Sequence, residues 1–94
     1  MAEKIIRMYY LTKGINQILM PKDAEPLHVS EHCGHPAVWV LAPYGTGLYM
    51  VEREFLAVPD GAPMKDFKPT YEYIGSCYID DGIRGITHHV FEIT

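Results

Sequence analysis

Ninety-four residues, 48% of them apolar and 21% charged, suit one globular domain. A chain of this size buries roughly 60–65% of its extended-chain surface, enough for a core without a disulfide or structural metal. The net charge is −4, and three Arg and five Lys are scattered with no basic run, which argues against a DNA or RNA binder.

Gly and Pro punctuate the chain about every ten residues, which predicts short strands between turns and leaves little room for helix. Lys4–Leu11 is β-rich. Gln17–Met20 is a short apolar run stopped by Pro21. Leu27–Glu31 and Ala37–Ala42 form a hairpin across His32-Cys33-Gly34-His35, where Gly34 supplies a positive φ. Leu48–Val58 is the longest strand, or a pair with a bulge near Arg53. Pro59–Pro69 is one long loop with a short helical turn at Met64–Phe67. Tyr71–Ile79 and Ile86–Ile93 form a last hairpin around Asp80-Asp81-Gly82. The expectation is an all-β domain over residues 1–94, a compact antiparallel sandwich or partial barrel of six to seven short strands.

Alternation then assigns faces. Leu27 and Val29 point one way, His28 and Ser30 the other. Ala37–Ala42 is apolar on both sides, so that strand is central or is covered by a partner chain. In Leu48–Val58 the expected core face is Tyr49, Val51, Arg53, Phe55 and Ala57. In the last strand His89, Phe91 and Ile93 share one face and His88, Val90 and Glu92 the other.

No long apolar run follows Met1-Ala2-Glu3-Lys4, and the longest apolar stretch, Ala37–Pro43, is far short of a membrane span. A cytoplasmic protein with Cys33 and Cys77 as free thiols is expected, although a bridge between them remains open. His28, His32, Cys33 and His35 are the densest set of metal-ligand types, with His88-His89 elsewhere. Their spacing matches no finger or ribbon, so they read as turn and solvent-facing residues rather than as a metal site. Cys33 beside His32 or His35 lacks a third orienting group for nucleophilic catalysis. Glu52 and Glu54, about 7 Å apart by strand rise, read as a solvated strand face. Gly45-Thr46-Gly47 lacks the Gly-Lys-Ser/Thr end of a phosphate loop and reads as a hairpin turn. No catalytic residue, cofactor or metal is therefore assigned.

Arg53 is the most informative charge. A guanidinium on an apolar face must pair, stack or meet an anion. Either it pairs internally with a carboxylate such as Glu72 or snorkels to the surface, or it lines an anion-binding cleft with aromatic walls. The candidate ligand-binding set is Arg53, Tyr49 and Trp39, with Trp39 as core, stacking platform or interface anchor.

Several segments carry a resemblance: Lys4 to Tyr9, Gln17 to Pro21, Asp23-Ala24, the hairpin from His28-Val29 through Trp39, Tyr73 to Ser76, and His89 to Glu92. In this order they resemble a family of short proteins of unknown function from phages, prophages and bacteria. Val58–Lys68 departs from the family pattern. The resemblance implies a phage-like setting and an all-β fold, with no catalytic residues to carry over. The resulting expectation is a non-enzymatic, homo-oligomeric binding protein of the host cytoplasm. It would act against bacterial defence by sequestering an anionic, nucleotide-type signal. The alternatives are an inhibitor docking on a host defence protein and a phage structural or assembly part.

Overall fold

The computed structural model describes residues 3–64, 70–80 and 82–94. Seven strands follow one another: β1 (Glu3–Tyr10), β2 (Gly14–Pro21), β3 (Glu25–His32), β4 (His35–Tyr44), β5 (Met50–Pro59), β6 (Tyr71–Asp80) and β7 (Gly85–Ile93). They make two antiparallel sheets, ordered β1-β4-β3 and β2-β5-β7-β6. The expected all-β fold is therefore a sandwich and not a closed barrel. The helical turn expected at Met64–Phe67 falls, apart from Met64, outside the described residues.

Period-two patterning explains most of the layering. Val38, Val40 and Ala42 of β4 meet Phe55 and Ala57 of β5, Val29, Cys77 and Val90 in a single core. β4 is the central strand of its sheet, with Val38, Val40 and Ala42 in the core and Trp39 and Leu41 half-buried on the other face. The expected core face of β5 holds at Phe55 and Ala57, but Tyr49 precedes the strand and is 72% exposed. β5 keeps a regular register with β2 through Ile18–Arg53, so the bulge expected near Arg53 is absent. Bulges fall instead at Pro26/His28 and Tyr73/Gly75. The first throws Leu27 out of register, so it does not share the burial of Val29: it is 50% exposed.

The β3–β4 turn is tighter than Gly34 alone requires. His32 pairs with His35, and the two residues between them both take positive φ, Cys33 at 52° and Gly34 at 82°. Two left-handed residues are what a type I′ hairpin needs, and the Cβ of Cys33 makes this costly there. Glu31 Oε2 accepts the Gly34 N–H at 2.6 Å and helps to hold the turn. The two sheets come closest where β3 lies on β6. A Cβ at Gly75 would meet the Val29 side chain at 3.3 Å. Glycine at the β6 bulge therefore lets the layers approach.

One polar contact is set into this core. Arg53 Nε and Nη2 donate to the two carboxylate oxygens of Glu92 at 2.6 and 2.8 Å. Nη1 donates to the Ala24 carbonyl at 2.5 Å. The two side chains are only 16% and 9% exposed. The partner is thus Glu92, diagonally across the β5–β7 ladder, and not the expected Glu72. The hydrogen bond to Glu92 raises the Arg53 pKa against the opposing effect of burial, and the charges of Glu92 and Glu72 add to the rise.

Removing one partner of such a pair strands a buried charge. Arg53→Ala is expected to cost about 3–5 kcal/mol in denaturant unfolding, and Arg53→Met with Glu92→Leu to regain most of it. An Arg53→Ala loss below about 1 kcal/mol would contradict the structural role. Val38→Glu and Val40→Glu, both at fully buried positions, are expected to abolish folding and not to yield soluble monomers.

Candidate functional site

The three residues singled out in sequence do not converge. Arg53 lies in the core layer, and each of its three nitrogens donates to a protein acceptor. Trp39 alternates with the buried Val38 and Val40, so it sits on the outer face of the three-stranded sheet. Its Nε1–H donates to Ser30 Oγ at 2.7 Å. Tyr49 stands in solvent with the Lys22 ammonium 5.8 Å from its ring centroid. Glu52 and Glu54 lie opposite Leu19 and Gln17 on the outer face of the four-stranded sheet.

The histidine-rich turn does assemble a cluster, though of aromatic and hydrogen-bonding character. The Tyr10 hydroxyl is 2.7 Å from His32 Nδ1. The Tyr10 ring lies 5.5 Å from that of His32 and 5.9 Å from that of His35, and His32 meets Trp39 at 6.3 Å. Lost hydration and then the neighbouring Cys33 push the Tyr10 hydroxyl pKa up. Tyr10, Leu11, Thr12, Cys33 and His35 border an open hollow of about 380 Å³. Among the described residues, no group of three or more His, Cys, Asp or Glu side chains is placed to hold a metal ion. A second surface network runs from Tyr73 OH to His89 Nδ1 at 3.1 Å, and from His89 Nε2 to Asp60 Oδ1 at 3.0 Å.

The larger cavity lies elsewhere, near β1 at the edge of the three-stranded sheet. It measures about 500 Å³, within the usual range for small-molecule sites. β1 contributes Ile5, Arg7 and Tyr9. Pro21 and Met50 form the floor from the four-stranded sheet, and Tyr44, Gly45 and Leu48 contribute from the turn after β4. Gly45, at φ 148°, and Gly47, at φ 70°, shape that turn, which crosses from β4 in one sheet to β5 in the other and so is not the hairpin turn expected. Arg7 is exposed, and its guanidinium has no ion pair or hydrogen bond among the described residues. Lys22 and Tyr49 immediately flank the paired Pro21 and Met50, so Tyr49 stands beside this cleft.

Sequence reasoning missed Arg7, although Ile5-x-Arg7-x-Tyr9 carries the same alternation that drew attention to Arg53. The distinction is tertiary. β5 is an inner strand with Glu92 next to it, whereas β1 ends its sheet and has no neighbour on one side among the described residues.

Cys33 is exposed and Cys77 buried, both as free thiols. Burial first, and the charge of Glu31 second, raise the Cys77 pKa. At mildly alkaline pH a maleimide is therefore expected to label Cys33 in the folded protein and Cys77 only on unfolding. Equal rates would contradict the burial. Chelator with reductant is expected to leave the thermal melt unchanged, and a collapse of the melting temperature would restore the histidine turn as a ligand set.

No curated protein and no solved structure matches this chain. One family model does, and it spans residues 1–94. The chain therefore belongs to the family described as a domain of unknown function, DUF7352.

Proposed function

We propose that this protein is a non-enzymatic binding module whose β1 cleft takes one small, planar, anionic molecule. The observation that carries the reading is Arg7. Its guanidinium has no ion pair or hydrogen bond among the described residues, and it lines a cavity of about 500 Å³ together with Tyr9 and Tyr44. Guanidinium recognises phosphate or carboxylate oxygens through paired donors, and tyrosine rings stack on a planar base. Lys22, against Tyr49 beside the cleft floor, adds a second positive charge nearby. With only eight Lys and Arg against twelve acidic residues, the chain suits one phosphate-bearing small molecule better than a polyanion.

A nucleotide-type signal fits these requirements. In this reading the protein acts as a phage-derived sponge in the host cytoplasm, removing such a signal without turnover. Arg7 replaces Arg53 as the recognising cation, because Arg53 is already bonded to Glu92 and Ala24.

The test is calorimetric titration against cyclic dinucleotides and ADP-ribose derivatives. Wild type is expected to bind one of them. Arg7→Ala is expected to weaken it by about 10- to 150-fold, the loss of a charge-assisted hydrogen bond. Its unfolding free energy should change by less than about 1 kcal/mol, since the side chain is exposed. Binding that is unaffected by Arg7→Ala would remove the cleft from the account. A wild type that binds no member of the panel would remove the small-molecule reading in favour of protein docking.

A further inference from the structure

Four strands end the two sheets, and three of them carry features that discourage further pairing. β1 carries Glu3, Lys4 and Arg7. β3 carries Pro26, a bulge, Glu25 and Glu31. β6 carries Glu72, Asp80 and a bulge at Gly75, and β3 packs on it there. Charges, prolines and bulges are the usual devices that keep sheet edges from pairing. β2, Gly-Ile-Asn-Gln-Ile-Leu-Met-Pro, has no charged residue and a regular register over all eight positions. Its one proline is the last residue. Ile15 and Leu19 on its outer face are 56% and 57% exposed.

We propose that β2 pairs antiparallel with the β2 of a second copy of this chain, centred on Gln17. Two independent conditions restrict the centre to an odd-numbered residue of β2, and of these Gln17 alone uses all three outward positions. The first is hydrogen-bond phase. Lys22 N–H donates to the Tyr49 carbonyl at 2.9 Å, which extends the β2–β5 ladder by one pair. Antiparallel ladders bond at alternate residues, so the even-numbered residues of β2 face β5. The N–H and C=O groups of Ile15, Gln17 and Leu19 point to the free edge. The second condition is symmetry. A two-fold axis perpendicular to the sheet brings outer-face residues opposite outer-face residues.

Centring on Gln17 satisfies both conditions. Gln17 then bonds to its own copy, and Ile15 lies directly opposite Leu19 of the second copy, twice by symmetry. Two exposed apolar side chains per protomer are covered, and no like charges meet along β2. The four-stranded sheets of the two copies become one continuous sheet. A β1–β1 pairing would instead bring three charged residues per copy to the seam.

Sedimentation velocity at about 100 μM, a concentration that populates modest-affinity dimers, is the first measurement. A dimer is expected. Gln17→Pro removes an outward N–H that the β5 ladder does not use, and Leu19→Lys places a charge opposite Ile15 of the second copy. Each is expected to weaken dimerisation at least ~10-fold while the circular dichroism stays unchanged. Should Gln17→Pro not fold, Leu19→Lys decides, because its side chain is exposed. In a Cys33→Ser background, a short bismaleimide is expected to join Gln17→Cys protomers but not Lys4→Cys protomers. A wild-type monomer at this concentration, a dimer that survives Leu19→Lys, or cross-linking through position 4 in place of 17 would each overturn the proposal.

Discussion

The Arg53–Glu92 bridge is the constraint on which the interior depends. A guanidinium and a carboxylate are brought into a core otherwise made of Val, Phe, Ala, Leu, Met and Cys77, and each loses most of its water. That is tolerable only because the pair is bidentate and the third nitrogen finds the Ala24 carbonyl. The three contacts tie together β5, β7 and the turn before β3. They span both layers at one point and fix how the four-stranded sheet sits relative to the chain entering the three-stranded one. Removing either charge leaves the other without a partner in a low-dielectric interior, so losing one partner costs far more than replacing both by apolar side chains.

That bridge also determines what is left for recognition. A cation with each of its three nitrogens bonded inside the fold cannot be turned toward a ligand without breaking those contacts. Arg7, on a strand at the sheet's edge, has no such contacts among the described residues. The layers are close at Val29 and Gly75 on the β3–β6 side, while a cleft opens beside β1. The edges divide the surface in the same way. The charged β1 edge borders the cleft, and the uncharged β2 edge carries the exposed Ile15 and Leu19.

The strands could be read from local chemistry because period-two patterning and Gly/Pro punctuation are local signals. β4, apolar on both faces, is the central strand of its sheet. Phe55 and Ala57 fall on the expected core face. What depends on long-range pairing could not be read in the same way. Glu72 and Glu92 are equally plausible partners for Arg53, and they even face each other across β6–β7, until the strand order puts β7 with Glu92 beside β5 and β6 with Glu72 one strand further away. The bulges at Pro26/His28 and Tyr73/Gly75 shift register by one residue, and that shift is why Leu27 departs from the burial of Val29. Arg7 and Arg53 sit in similar alternating patterns, and only strand order separates a bridged arginine from an available one. The turn at Cys33 is a smaller instance: Gly34 announces a tight hairpin, but nothing local requires its neighbour to be left-handed as well.

The division of labour between the two arginines can be measured directly by residue-resolved labelling with phenylglyoxal, read by mass spectrometry. In the folded protein Arg7 is expected to react readily. Arg53, held by Glu92 and the Ala24 carbonyl, should resist until denaturant unfolds the chain. Folded protein in which Arg53 reacts as fast as Arg7 would contradict the account, because a bridge that opens so freely could neither hold the layers together nor leave Arg7 as the recognising cation.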